Sequence, residues 1–267
     1  MLTIQNYVKA ASLEEAYELN QKKSSRIIGG MLWLKMSHMR VQTAIDLSGL
    51  GLDFIEEDEK EFRIGAMATL RQLELHAGLN QYTGGSMRES LRHIVGVQFR
   101  NLATVGGSIF GRFGFSDVLT EFLALGASAE LYKAGRVSLE EFAKMPADRD
   151  ILVQIIVPKT KAANAYQSLR NTNTDFPVLT CAVSRDLDGT VCAAVGARPA
   201  RAVLVRDEEH ILKDGITEES AAAFGEYVSG QIATGSNMRA GAEYRKHLAK
   251  VLTKRAVLQM EDRQNEN

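Results

Sequence analysis

Cysteine is scarce in this chain: Cys181 and Cys192 are the only two among 267 residues. Two thiols cannot ligate an iron–sulfur cluster, which takes four. Their setting, VLTCAVSRDLDGTVCAAVGA, reads as a hairpin turned at Asp186–Gly189 that does not bring the two side chains opposite each other. They are expected to be half-buried free thiols of a reducing compartment. The five histidines are scattered without ligand spacing, so no metal ligand is nominated. An excess of charge is missing too. The 32 basic and 33 acidic residues give a net charge of -1, which leaves no field to draw nucleic acid or an anionic membrane. No run approaches the ~20 apolar residues of a membrane span, and MLTIQNYVKAASLEEAYELN has no apolar signal core. The expected location is the cytoplasm.

What remains is an ordinary globular balance, 45% hydrophobic and 24% charged, in a chain long enough for one large or two modest domains. Ser12-Leu-Glu-Glu15 opens a helix with a capping-box pattern. Arg26–Gly29 reads as a buried strand entering paired glycines, and Thr43–Leu47 and Glu61–Met67 as further strands. Thr69 starts another capped helix. Met87, Leu91 and Ile94 share a helical face within Gly85–Ile94. Val118–Leu125 is expected to be helical, and Ala127–Tyr132 and Ile151–Val157 extended. Lys159–Asn164, polar and small, reads as a linker. A strand near Tyr166–Arg170 and the cysteine hairpin follow. Two helices come last, Thr217 to about Gln231 and Gly241–Met260, with a frayed tail, EDRQNEN. Strands and helices mix without the beat of a doubly wound sheet, so the fold class is α+β.

Two segments share a design: Ile27-Ile-Gly-Gly-Met-Leu-Trp-Leu-Lys35 and Thr104-Val-Gly-Gly-Ser108. Paired glycines remove Cβ atoms and permit positive φ, so several N–H groups can converge on an anion. Two such loops suffice to cradle a diphosphate without any lysine. Competing phosphate motifs fit worse. Gly106 to Gly111 has nucleoside-triphosphate-loop spacing, but Arg112 and Phe113 follow where Lys and Ser/Thr belong. No G-x-G-x-x-G lies between a strand and a helix, which excludes a Rossmann site. Asp117, ten residues behind the second glycine pair, fits either of two roles. It accepts from sugar hydroxyls, or it caps the helix that follows, FSDVLTEFL.

"IGG" near the start, "IGAMATL", "QFRNLATVGGSIF…SD" and the terminal "GAEYRKHLAKVLTKRA" occur in this order in one family. The chain resembles, over nearly its whole length, the FAD-binding medium subunit of molybdenum hydroxylases, which include xanthine dehydrogenase and carbon-monoxide dehydrogenase. That resemblance implies a two-subdomain FAD-binding domain of the vanillyl-alcohol-oxidase/MurB type over 1–158, divided near residue 55, and a small α/β C-terminal domain over 159–267. It implies that FAD is held by Arg26, Ile27, Ile28, Gly29, Gly30, Met31, Leu32 and Trp33 from the first loop, and by Thr104, Val105, Gly106, Gly107 and Ser108 from the second. Asp117 matches the family acid that holds the flavin's sugar portion, and Ile94 and Leu152 match positions lining the cofactor. Trp33 and Phe110 are candidates for contact with the ring.

The implied activity is electron relay from an iron–sulfur small subunit, through FAD, to NAD+, with molybdopterin on a large subunit and no catalytic residue in this chain. The alternatives are a stand-alone flavin oxidoreductase of the same fold and a non-enzymatic assembly subunit. Three departures stand out. Met31-Leu32 replace a usual polar pair, Gly111–Phe115 replace small residues and proline, and Gln167 stands where some relatives carry lysine.

Overall fold

The structure, a computed structural model, describes the backbone of residues 1–265 and the side chains of residues 1–262. It contains three sheets, taken up one after another by the chain. The first is small and wholly parallel: β1 (Thr3–Lys9), β2 (Ser25–Ile28) and β3 (Arg40–Asp46), in the order β1-β3-β2. Ser12 caps the helix Leu13–Asn20 that crosses from β1 to β2, its hydroxyl accepting from the Glu15 amide. The second sheet comprises β4 (Ile55–Glu57), β5 (Glu61–Gly65), β6 (Ser128–Leu131), β7 (Gly135–Ser138) and β8 (Leu152–Pro158). It is antiparallel, in the order β4-β5-β8-β6-β7. The third is an antiparallel meander of β9 (Lys161–Arg170), β10 (Pro177–Asp186), β11 (Val191–Gly196) and β12 (Val203–Arg206).

One helix joins the last two layers. All eight residues of Asp117–Ala124 are buried, and Thr120 Oγ1 lies 3.0 Å from Thr180 Oγ1 on β10. Strand β10 is accordingly buried from Pro177 to Ser184. Ala182 faces the core built around that helix, whereas Leu179, Cys181 and Val183 face the helices Glu218–Gln231 and Ala242–Asn265. A strand buried on both faces reads as a continuous apolar run, and VLTCAV does.

Three sequence expectations need correcting. The connection between β8 and β9 is only Lys159–Thr160; Lys161–Asn164 is strand, with Asn164 opposite Ser184 and Ala163 opposite Arg185. Pairing with β10 overrides the weak strand propensity of Ala-Ala-Asn. Both cysteines are fully rather than half buried, and free. Cys181 sits opposite Val195 and Cys192 opposite Ser184, and burial pushes the Cys181 thiol up to about 12. The final helix continues through Asn265, so most of the tail expected to fray is helical; Glu266 and Asn267 lie outside the described residues.

Candidate functional site

The first glycine segment begins where β2 runs out. A Cβ built on Gly30 would lie 1.8 Å from the Leu102 carbonyl oxygen, and one on Gly29 would lie 2.7 Å from Thr104 Oγ1. Gly30 is glycine because the two segments press backbone to backbone there, and Gly29 because the Thr104 side chain lies against it. Neither residue carries positive φ; Met31 does, at 56°. A left-handed residue entering a turn whose Trp33 is right-handed helical can aim successive N–H groups toward one side, the geometry of an anion-binding concavity. Among the described residues, no protein group accepts from the amides of Gly30, Met31, Leu32 or Trp33.

The second segment behaves otherwise. Thr104–Ser108 is not a loop but the start of a short helix, Val105–Ile109, capped by Thr104. The Val105 amide donates to Ala68 O (2.9 Å), Gly106 to Ala66 O (2.7 Å) and Ser108 to Thr104 O (3.1 Å). The Gly107 amide donates to Thr104 Oγ1 at 3.1 Å. Every amide from Val105 to Ser108 is therefore committed within the protein. Gly106 is glycine for close approach, since its Cβ would meet Ala66 O at 2.8 Å.

Asp117 is not the cap of its helix; Ser116 takes that place, its hydroxyl accepting from the Leu119 amide. Asp117 is freed to accept, on Oδ1, from the Tyr166 hydroxyl and from Arg170 Nη2, each at 2.5 Å. Both members of the Asp117–Arg170 pair are buried. Burial pushes the Asp117 carboxyl above the ordinary carboxylate range, with Arg170 opposing. Burial, reinforced by the neighbouring carboxylate, pushes the Tyr166 hydroxyl well above its usual value. Arg170 Nη1 donates to Asp175 O at 2.9 Å, and its Nε has no partner. An acid of the second layer is thus fixed by a strand of the third.

Between these pieces lies a cleft of about 1000 Å³. Arg26 to Trp33, Ile94, Thr104, Gly106, Gly107, Ser108, Asp117 and Leu152 all line it. Val105 does not; it is fully buried in the core. Aromatic rings wall one side. Trp33 stacks on Phe176 (5.5 Å, 24°) and meets Phe99 edge-on (5.8 Å). Phe176 meets Phe115 at 4.4 Å, and Phe115 stacks on Phe113 at 5.2 Å and 10°. Phe110, also at the cleft, packs against Phe142 at 6.1 Å. The Gly111–Phe115 departure is anchored by buried Arg112, whose guanidinium lies 3.9 Å over the Phe142 ring and whose Nε donates to Phe142 O.

Sequence reasoning missed Tyr166, Arg170, Phe113, Phe115 and Phe176. Gln167, noted as standing where some relatives carry lysine, donates through its side chain to Gln259 on the far face of β9 (2.8 Å). The available signal was period two: Asn164, Tyr166 and Arg170 share the face opposite Ala165, Gln167 and Leu169.

A large apolar cleft with a run of free amides, closed by an α+β core in two layers and a third sheet behind, has the room and the donors of a nucleotide-cofactor site. Comparison makes the class specific. Residues 2–160 match the family described as the FAD binding domain in molybdopterin dehydrogenase, and residues 164–260 match the CO dehydrogenase flavoprotein C-terminal domain. The chain belongs to this family of FAD-binding medium subunits. It is 27% identical over 254 residues to the protein YgfM of Escherichia coli strain K12, covering 93% of each chain. It is also 27% identical over 275 residues to the nicotine 6-hydroxylase medium subunit of Paenarthrobacter nicotinovorans, covering 95% of this chain and 96% of that one. A subunit of carbon monoxide dehydrogenase from Hydrogenophaga pseudoflava superposes with a TM-score of 0.85 over 97% of each chain, at 24% identity, which speaks to the fold.

Proposed function

We propose that this cleft holds one FAD and that the chain relays electrons through it within a multi-subunit molybdenum hydroxylase. The observation that carries the reading is the run of unpartnered amides from Gly30 to Trp33 beside a cleft of about 1000 Å³, at the upper end of ligand-pocket sizes. Those amides suit a diphosphate, and Met31-Leu32 in place of a polar pair leaves them intact. Arg26 to Gly29 form one wall, and Thr104, Gly106, Gly107 and Ser108 form the facing wall. Asp117, oriented by Tyr166 and Arg170, accepts from the sugar portion, and Ile94 and Leu152 supply apolar contact. When bound, FAD supplies the redox chemistry; the chain places the ring, shields it and neutralises its phosphates.

Electrons arrive from an iron–sulfur small subunit, and substrate is oxidised on a molybdopterin-bearing large subunit. The family resemblance implies NAD+ as the final acceptor. A cytoplasmic location is part of this reading, on the strength of the two free thiols. The test is the protein itself. Purified from its native complex, the chain is expected to be yellow, to release one FAD on denaturation, and to copurify with molybdenum and iron. A colourless chain that binds no FAD on titration refutes the reading.

A further inference from the structure

Phe176 is the ring that the turn between β9 and β10 brings to the cleft, where it stacks on Trp33 and meets Phe115. A connecting turn is mobile unless its backbone is tied down. Three arginines tie this one. On the residue before the ring, Asp175 O accepts from Arg170 Nη1 at 2.9 Å. Two residues after it, Val178 O accepts from Arg245 Nε, also at 2.9 Å. Arg239 closes on the Asp175 side chain, donating from Nη2 to Oδ1 (2.8 Å) and from Nε to Oδ2 (3.2 Å). The same Oδ1 accepts from the Phe176 amide at 2.7 Å, and the Arg239 guanidinium lies 5.0 Å over the Phe176 ring.

Arg239 is itself held in place. It stands in a tight bend where Asn237 bridges to Ala240. Fully buried Arg245 gathers that bend around its guanidinium: Nη1 donates to Gly235 O (2.8 Å) and Ala240 O (2.6 Å), and Nη2 to Asn237 Oδ1 (2.6 Å). Asn237 Oδ1 also accepts from the Arg239 amide at 2.9 Å. Across the turn, Asn171 Nδ2 donates to Arg239 O at 3.2 Å. Arg245 thus donates only to uncharged oxygens, and burying a cation that way is costly. Its rigid fork of N–H groups reaches the bend and β10 together, which the point charge of a lysine does not.

We infer that Arg239 is a positioning residue for the cofactor ring: it fixes the plane of Phe176 and, through the stack, Trp33. The inference rests on the flavin reading and adds to it a residue that does not line the cleft. Arg239 therefore acts only through Asp175 and Phe176. Arg170 holds the same turn but also pairs with Asp117, so Arg239 is the hold that can be removed without touching the acid. A half-buried two-point arginine–carboxylate pair with a ring beneath it has the directionality this role requires.

Trp33 is the only tryptophan in the chain, so its emission reads the wall directly. The full chain, freed of cofactor, is compared as wild type, Arg239→Met, Phe176→Ala and the double variant, with urea unfolding to confirm that each is folded. Asn237→Ala, which releases the Arg239 amide from an exposed position, carries the test should Arg239→Met fail to fold. Arg239→Met and Asn237→Ala are expected to shift Trp33 emission to the red, to make it more quenchable by acrylamide, and to weaken FAD binding at least about tenfold. Once Phe176 is alanine, Arg239→Met is expected to add nothing, as for residues acting through one contact. Unchanged Trp33 emission in the folded variants, changed emission with unchanged FAD affinity, or an equal loss of affinity with and without Phe176 overturns the role of Arg239 and leaves the FAD site standing. A wild-type chain that binds no FAD overturns both.

Discussion

The two Gly-Gly segments look interchangeable as sequence and are opposites as structure. Around Gly29-Gly30 the chain leaves four successive amides without a protein partner. Around Gly106-Gly107 it commits every amide to Ala66, Ala68 or Thr104. Gly30 and Gly106 serve the same purpose, each letting its backbone approach another. What differs is the hydrogen-bond accounting, which on the proposed reading separates a grip from a wall. Gly30, Met31 and Leu32 are half-buried and Trp33 is exposed, so water satisfies these amides and, on the reading proposed above, a bound diphosphate replaces it.

The largest effect is expected at the acid behind the second segment. Asp117→Ala leaves the Arg170 charge buried and unpaired, which costs about 3–5 kcal/mol in urea unfolding. Replacing both partners with apolar residues is expected to recover most of that loss; if the single and double variants are equally destabilised, the pair is not the cause.

Gly30→Ala comes next. Its Cβ meets the Leu102 carbonyl, and overpacking against backbone costs about 1–3 kcal/mol or more, with FAD retention lost alongside. Gly107→Ala meets only Thr104 Oγ1, at 3.2 Å, and is expected to shift stability by less than about 1 kcal/mol. Equal damage from both would erase the contrast between the segments.

Thr104→Ala removes a cap and is expected to cost about 1 kcal/mol, with FAD affinity kept within about tenfold by fluorescence titration. A far larger affinity loss would mean that the second segment grips after all.

The smallest effect lies away from both segments. Burial raises the Cys181 thiol to about 12, so at pH 8 the thiolate is roughly one part in ten thousand. Iodoacetamide is expected to leave Cys181 unmodified in the native protein and to modify it once unfolded. Because the folded value is raised, this thiol's contribution to stability is full below the unfolded pKa and fades as pH climbs toward 12.

The pattern of what was legible follows from locality. Ser12 and Thr69 announced their helices because a cap is read within four residues, and both hydroxyls accept from the expected amides; Thr217, read only as a helix start, is a cap as well. Strand β2 and its glycines were legible for the same reason. The sequence left Asp117 open between a helix cap and a sugar contact because two capping residues stand side by side; Ser116 takes the cap, and Asp117 is buried against β9. Arg170 was out of reach because its role depends on which face of β9 meets the cleft, and that is set by pairing with β10. Met31 in a left-handed conformation was invisible, since a glycine stands immediately before it and would be the expected choice.

The most direct test of the central claim follows backbone amides during FAD titration of the cofactor-free protein by 15N-resolved NMR. Large shifts are expected for Gly30, Met31, Leu32 and Trp33, with small ones for Val105, Gly106 and Gly107. If the second group moves and the first stays still, or neither responds while FAD binds, the diphosphate is held elsewhere and the assignment of the first segment is wrong.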